Sequence, residues 1–174
     1  MTGFKYLGVH LTKDLSWSMH TDALVKKSRQ RMYHLRRLST FGVSPLALRN
    51  FYTCTIESIL TGSITAWHGN CTVQDQKALQ RVVKTAGRIT GGVLPSIQDI
   101  YTRRCRSKTR RILEDNSHPA HGLFQLLKSG KRYQSLKSSQ ERHRKSFYPS
   151  AIRILNEDME LERRQRLNHP PPRA

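Results

Sequence analysis

The sequence predicts a mainly α-helical protein, in which a short N-terminal strand or hairpin is followed by a helical bundle and a basic, partly disordered C-terminal tail. Three observations predict this class. Apolar residues alternate with a period of two only near the N-terminus. From Ser18 onward they recur at helical spacings of three and four. From Gly130 to Lys145 the chain is polar, basic and poor in aliphatic residues.

The N-terminal segment has the pattern of a short β-structure. Apolar side chains alternate at Phe4 and Tyr6, Gly8 breaks the pattern, and Val9 and Leu11 follow, which is typical of a strand or tight hairpin. A core-like strand this close to the first residue has no preceding partner. We therefore expect a truncated chain, or one whose strand depends on a sheet supplied elsewhere.

Two helical patterns come next. From Ser18, apolar residues follow one stripe while cations cover the other faces, and Gly42 ends this first helix. Ser44-Pro45 offers a cap followed by proline at the first helical position, which predicts a second, more apolar helix. The stretch from Thr61 to Gly69 is apolar, short and bounded by glycine. For it we predict a buried extended connector.

Two further helices carry recognisable start and stop signals. Thr72-Val73-Gln74-Asp75 imitates a capping box with Asp in place of Glu, and Gly91-Gly92 ends the helix that it starts. Ser96 is placed to cap the next helix, which runs through Tyr101. Between Tyr101 and Leu113 this helix carries cations and no acid, so it is the most basic helix of the chain.

These patterns divide the chain into four parts: a strand and turn over residues 1–17, a helical domain over residues 18–115, a basic C-terminal region with short helices over residues 116–157, and a flexible tail over residues 158–174. Within the third part we predict a short turn of helix at residues 123–127 and weak order over residues 130–145. An amphipathic patch at residues 147–155 is expected to pack on the body. The tail is charged and ends in three prolines, which is typical of mobile ends.

Charge indicates the class of partner. The chain has 31 Lys and Arg against 12 Asp and Glu, a formal net charge of +19 and a pI near 10.7. A polyanion would neutralise this excess, so RNA, DNA or an RNA–DNA hybrid is the expected partner. We find neither a membrane-spanning apolar run nor a signal-peptide pattern, which predicts an intracellular protein. Arginine pairs such as Arg103-Arg104 are compatible with nuclear import but occur in many basic proteins.

The predicted nucleic-acid contacts are cations that cluster without acidic neighbours, because a merely solvated helix face normally mixes both signs. They are Lys26, Lys27, Arg29, Arg31, Arg103, Arg104, Arg106, Lys108, Arg110, Arg111, Lys131, Arg132, Arg142, Arg144 and Lys145. Contacts to phosphates carry no sequence information, so binding is expected to be largely insensitive to sequence. The sequence predicts no cofactor.

Aromatic and metal-binding residue types have simpler explanations. Four aromatics lie on apolar stripes and are predicted to be core: Phe51, Tyr52, Trp67 and Phe124. Tyr133 and Tyr148 lie among cations and are candidates for base stacking. Cys54, Cys71 and Cys105 are too far apart for a paired zinc motif, and we predict reduced thiols. The alternative is a zinc site from Cys105, His118 and His121.

Six stretches together resemble the post-palm portion of LINE-type non-LTR retrotransposon reverse transcriptases. They are Phe4-Lys5-Tyr6-Leu7-Gly8-Val9, residues 26–38, Trp67-His68-Gly69-Asn70, Leu79-Gln80-Arg81-Val82-Val83, Ile97-Gln98-Asp99-Ile100-Tyr101 and residues 146–152. The resemblance implies a primer-grip strand at Phe4 to Val9 and a helical thumb after it. It also implies that the catalytic aspartates would precede Met1, so the chain is expected not to be an enzyme.

A second resemblance concerns the segment from Phe4 through the first helix, which is similar to the N-terminal region of the alkylation-repair AlkB homologue eight. This resemblance implies 2-oxoglutarate dioxygenase or methyltransferase chemistry. His20-Thr21-Asp22 matches the His-x-Asp part of an iron facial triad, and His68, His118 or His121 could be the distal ligand. However, His20 and Asp22 open a helix, where Asp simply favours the positive end of the dipole. No glycine-rich loop for a methyl donor follows a strand.

Three hypotheses follow from the sequence. The first is a noncatalytic, retrotransposon-derived segment that binds nucleic acid without sequence preference. The second is a domesticated helical module that packs on a protein partner. The third is the dioxygenase or methyltransferase suggested by the AlkB resemblance, which requires iron or methyl-donor binding.

Overall fold

The computed structural model describes residues 3–6 and 8–168. Strands β1 (Gly3–Tyr6) and β2 (Val9–Thr12) form an antiparallel hairpin in which Tyr6 faces Val9. Gly8 turns the chain with φ +83°, a conformation that glycine adopts without strain. The predicted hairpin is confirmed. Its Phe4 and Tyr6 side chains are 64% and 60% exposed, so their alternation does not bury them within the described residues.

Helix α1 (Ser18–Thr40) is amphipathic because its buried side chains recur every three or four residues. They are His20, Thr21, Val25, Ser28, Met32 and Leu35. The helix ends before Gly42, whose φ of +73° takes the chain out of the helical conformation.

Helix α2 (Pro45–Tyr52) begins as predicted, since the Ser44 hydroxyl accepts a hydrogen bond from the Ala47 N–H and proline occupies the first helical position. The helix continues through a wide π-helical turn (Thr53–Glu57) into the short helix α3 (Ser58–Leu60). The Thr55 hydroxyl donates to the Phe51 carbonyl at 2.6 Å, which occupies a backbone acceptor at this turn.

The predicted extended connector from Thr61 to Gly69 is wrong. Helix α4 (Ile64–Trp67) and a 3₁₀ turn (His68–Asn70) occupy this stretch. Ser63 precedes α4 with φ +51°, and the Trp67 indole N–H donates to the Gly62 carbonyl at 2.8 Å. Trp67 is fully buried, so tertiary packing of its ring holds a helical turn that glycine and short length argued against.

Helices α5 (Val73–Thr90) and α6 (Ile97–Glu114) confirm the predicted signals. Thr72 and Asp75 form a reciprocal capping box, and Gly91 ends α5 in the left-handed conformation. Ser96 accepts a hydrogen bond from the Asp99 N–H at 3.0 Å at the start of α6. Helix α5 packs along α1.

Contacts divide the chain into two compact units, one ending at Tyr101 and one beginning at Thr102. This division falls inside α6, and the boundaries predicted from the sequence stay a prediction. Two side-chain contacts join α6 to a later helix of the second unit. Arg106 binds Asp158, and the Lys108 ammonium lies 4.5 Å from the centroid of the Phe147 ring.

The second unit contains a 3₁₀ turn (His121–Leu123), helix α7 (Glu141–Arg144) and helix α8 (Phe147–Asn168). The helical turn predicted at residues 123–127 is wrong beyond Leu123, where the 3₁₀ turn ends, because Leu126 instead forms a bridge with Tyr133. Helix α8 begins at the predicted amphipathic patch, with Phe147, Ala151 and Ile152 buried.

Residues 158–168, the first part of the tail that the sequence predicts to be flexible, continue α8. Glu160 pairs with Arg164, and Glu162 pairs with Arg166, one helical turn apart. Such pairs favour a charged sequence as a helix, which composition alone did not indicate. The remaining residues of the predicted tail, 169–174, lie outside the described residues. No helix in the described part of the chain is both long and apolar enough to span a membrane.

Candidate nucleic-acid interface

The predicted contacts on α1 lie on its outer face. Lys26, Lys27, Arg29 and Arg31 are all exposed, because the buried stripe of α1 uses the positions between them. Within the described residues none of the four forms an ion pair. Their charges therefore remain available to an anion.

A groove between α1 and α5 gathers cations that are distant in sequence. It has a volume of about 250 Å³ and is lined by Arg29, Met32 and Arg36 from α1 and by Arg81, Val82 and Thr85 from α5. No acidic residue lines it in the part of the chain that the structure describes. Three guanidinium groups thus border a short apolar floor, and we call this the α1–α5 groove. A neighbouring depression, lined by Lys26 and Arg29, also contains the exposed Asp22.

Arg36 and Arg81 were not among the predicted contacts. Arg36 lies seven residues after Arg29 on the same helix, so helical spacing alone places the two on one face. This signal was present in the sequence. Arg81 has no comparable signal, because its nearness to Arg29 depends on how α5 packs against α1.

The most basic helix, α6, exposes all six of its predicted contacts: Arg103, Arg104, Arg106, Lys108, Arg110 and Arg111. Arg106 and Lys108 both contact α8. Arg106 Nε donates to Asp158 Oδ2 at 2.7 Å, and this contact raises the pKa of the guanidinium further. Lys108 stacks on Phe147. Arg106 and Lys108 therefore hold α6 against α8, which sequence reasoning did not foresee.

A cleft in the second unit collects three more predicted contacts. Lys131, Arg132 and Arg144 line a cleft of about 730 Å³ together with Arg153 and Arg163, which were not predicted. We call it the α8 cleft. The other two predicted contacts of this region, Arg142 and Lys145, do not line it. Glu141 pairs with both Arg144 and Lys145, which offsets part of their charge.

The aromatic residues predicted to be core pack in the interior of the protein, and one predicted stacking residue does so in part. Tyr52, Trp67 and Phe124 are buried, and Phe51 is partly buried, as core positions require. Tyr148, a predicted stacking residue, contacts the rings of Phe124 and Phe147 at the start of α8 and is partly buried. Its ring is therefore already used in packing.

The residues of the iron hypothesis do not converge. His20 is buried, and its Nδ1 accepts the His10 backbone N–H at 3.3 Å, whereas Asp22 is exposed. In the zinc hypothesis, Cys105 is fully buried and His118 Nδ1 accepts the Ala120 N–H. Among the described residues, no group of three or more His, Cys, Asp or Glu side chains is placed to hold a metal ion. All three cysteines are free thiols.

Two buried imidazoles mark the first unit. Burial lowers the pKa of His68 to about 4, and burial together with the nearby His10 lowers the pKa of His20 to about 4. Their rings pack edge-on or tilted against Trp67, and His68 also lies 4.6 Å from the Tyr101 ring centroid. Both imidazoles are therefore neutral near neutral pH and belong to the core.

Comparisons with known proteins bear on α1 to α3. A family model described as the N-terminal region of alkylated DNA repair protein alkB homolog 8 matches residues 17–58, from the residue before α1 to the first residue of α3. The chain thus resembles that region over the matched segment. No curated protein and no solved structure matches the chain. The matched segment contains Arg29 and Arg36 but neither Arg81 nor the second unit.

Proposed function

We propose that this chain is a noncatalytic segment that binds RNA, DNA or an RNA–DNA hybrid with little preference for sequence. The observation that carries the proposal is the α1–α5 groove, where Arg29, Arg36 and Arg81 meet without an acidic neighbour. Arginine binds phosphate through a planar fork of N–H donors, and the groove presents three of them. The floor of Met32 and Val82 has no donor or acceptor with which to read a base edge.

The finer form of the proposal is a reverse-transcriptase origin. Its support is the order of elements, a hairpin followed by helices, and the stretches from Phe4 to Ile152 that resemble LINE-type enzymes. In this form the hairpin would be the grip and the helices the thumb. The carboxylate pair that two-metal phosphoryl transfer needs has no counterpart in the matching stretches, so the chain would hold a duplex without copying it.

A second candidate is a domain of the alkB homolog 8 N-terminal type, favoured by the family match over residues 17–58. In this chain the matched helices use His20 as a core residue and leave Asp22 exposed. The resemblance therefore supports a helical binding module better than dioxygenase or methyltransferase chemistry. A protein-binding module is the third candidate, and salt separates it from the first, because a hydrophobic interface does not weaken steeply with salt.

The test is fluorescence anisotropy of the full chain with labelled RNA, DNA and hybrid duplexes of several sequences, each over a salt series. The logarithm of the affinity should fall linearly with the logarithm of salt concentration, with a slope of about −0.9 for each phosphate neutralised. Replacing Arg36 and Arg81 together by Gln should reduce the magnitude of that slope by about two. It should weaken all sequences alike.

The matched control removes the same charge from the same unit outside the groove, as Lys13→Gln with Lys77→Gln. These side chains are exposed and do not line the groove. Equal slopes for the two double variants would show that only net charge matters and would remove the groove from the proposal. The absence of binding to any duplex or single strand at low salt would contradict nucleic-acid binding and favour the protein-binding module.

A further inference from the structure

The α8 cleft has the features of a pocket rather than a flat basic surface. Its volume of about 730 Å³ lies within the range of roughly 300–1,000 Å³ typical of small-molecule sites. The side chains of Leu127, Leu136 and Pro149 form an apolar patch within a mostly polar lining, and Ile152 is fully buried beneath it. A chain that only tracked phosphates would gain nothing from such an apolar patch.

The rim of the cleft carries a net positive charge, even when the lining residues that form ion pairs with neighbours outside the cleft are left out. Glu141 offsets Arg144, and Arg164, which lies outside the cleft, offsets the lining residue Glu160. The remaining charged lining residues are Lys131, Arg132, Arg153 and Arg163 on the positive side and Glu157 on the negative side. Four cations against one acid favour an anionic occupant.

The described hydrogen-bond partners of Arg153 and Arg163 are neutral groups, so these bonds do not offset the charge of either guanidinium. Arg153 donates to the Ser150 hydroxyl at 3.2 Å, and Arg163 donates to the Lys131 backbone carbonyl at 3.3 Å. The second bond also ties α8 to the loop that forms the opposite wall. The wall is further fixed by Asn156, whose side-chain amide accepts the Tyr133 N–H at 2.7 Å and donates to the Tyr133 carbonyl at 3.1 Å.

We infer that the α8 cleft takes one unpaired nucleotide of a single-stranded nucleic acid, with the base on the apolar patch and its flanking phosphates on the cationic rim. The inference rests on the proposed function and narrows it to a preference for unpaired strands in the second unit. A duplex stacks its bases inside and presents phosphates outside, so it has no base to place in the recess. Asn156 holds its amide oriented on Tyr133 through one accepted and one donated hydrogen bond, so it is not free to turn towards different base edges, and we expect the cleft to discriminate little between bases.

The first test compares two labelled single strands of equal length and phosphate number, one with bases and one with abasic sites, by anisotropy with the full chain. RNA and DNA versions are both used, because the shared chemistry is the unpaired nucleotide. Burial of one base against the apolar side chains of the recess should favour the base-bearing strand by about tenfold. Equal affinity for the two strands would overturn the nucleotide pocket while leaving phosphate binding intact.

Matched variants test whether the preference for base-bearing strands arises at the α8 cleft. Leu127 lines the cleft and Leu126 does not, although both are exposed neighbours. Leu127→Asn should abolish most of the preference for bases, and Leu126→Asn should leave it unchanged. On the rim, Lys131→Gln with Arg132→Gln should weaken single-strand binding more than Lys128→Gln with Lys137→Gln, which removes the same charge outside the cleft. Circular dichroism confirms that each variant is folded.

A 2-aminopurine base in the strand supplies an independent readout. Its fluorescence should change on binding to the wild-type chain and not on binding to the Leu127→Asn variant. Competition by an acidic peptide of equal charge, with the same dependence on Lys131 and Arg132, would overturn the nucleotide assignment in favour of a protein partner. Failure of every strand and duplex to bind at low salt would instead contradict the proposed function itself.

Discussion

His20 and His68 are buried imidazoles whose neutral form the fold requires. Burial lowers the pKa of each to about 4 from an ordinary value of 6.5. Above the ordinary value both folded and unfolded chains carry neutral imidazoles. Below it the unfolded chain binds protons that the folded chain excludes, so stability falls as pH falls from 6.5 towards 4. From about pH 7 to about pH 5 we expect a loss of up to about 2 kcal/mol per imidazole.

The measurement is urea unfolding of the full chain at several pH values. His68→Phe keeps an aromatic ring against Tyr101 and removes one titrating group, so it should make the stability of the chain less dependent on pH. His34→Gln is the matched control, because His34 is exposed and should not alter the profile. An unchanged profile for His68→Phe would mean that another group controls the acid response.

At the scale of elements, two helices begin with the same capping box but differ in what surrounds it. Asp75 of α5 accepts hydrogen bonds from the Thr72 backbone and hydroxyl at 3.1 and 2.7 Å. It also accepts from Ser18 at 3.1 Å and Thr21 at 3.0 Å, both on α1, and is only 7% exposed. Asp75 thus joins two helices, whereas Asp99 of α6 is exposed and bonds Ser96.

Asp75→Ala should therefore cost about 3 kcal/mol of unfolding free energy, because it removes a cap and leaves hydroxyl and N–H groups without their acceptor. Asp99→Ala removes the equivalent cap at the surface and should cost clearly less. Denaturant unfolding of the two variants under identical conditions makes the comparison. Equal losses would show that the contacts to α1 add nothing to local capping.

Local signals account for the elements that the sequence predicted correctly. Ser44, Thr72 and Gly91 act within one helical turn of themselves, so their residue types alone mark where helices begin and end. The stretch from Thr61 to Gly69 failed because burial of Trp67 outweighs its short length and glycines. Composition did not indicate that residues 158–168 continue a helix, whereas the spacing of Glu160 and Arg164 favours one.

For the candidate site, the sequence could predict which residues of one helix share an exposed face, but not which helices pack together. Periodicity correctly predicts that Lys26 and Arg29 are exposed, since helical spacing fixes which residues share a face. It cannot bring Arg81 to Arg29, because that requires α5 to pack on α1. Periodicity also cannot show that Arg106 is paired, since its partner Asp158 lies 52 residues away in sequence. Pairings between distant elements therefore decide which charges remain available.

For the whole molecule, the excess of charge sets the response to salt. Its 31 Lys and Arg face 12 Asp and Glu, so even complete pairing would leave 19 cations without an acidic partner. The described ion pairs, such as Arg144–Glu141 and Arg164–Glu160, are exposed and contribute little each. Repulsion among like charges should therefore outweigh attraction within pairs in the folded chain.

Added salt should accordingly raise the melting temperature of the free chain while it weakens nucleic-acid binding. Screening shortens the electrostatic range to about 10 Å at about 0.1 M salt, which relieves repulsion between separated cations more than contact between paired groups. Thermal unfolding from about 0.05 to about 0.5 M sodium chloride tests this, with sodium perchlorate at equal ionic strength to separate screening from salt-specific effects. A melting temperature that falls with salt would show that ion pairs, rather than repulsion, dominate the folded state. Opposite salt responses of stability and binding would mean that a bound polyanion relieves the same repulsion that salt screens.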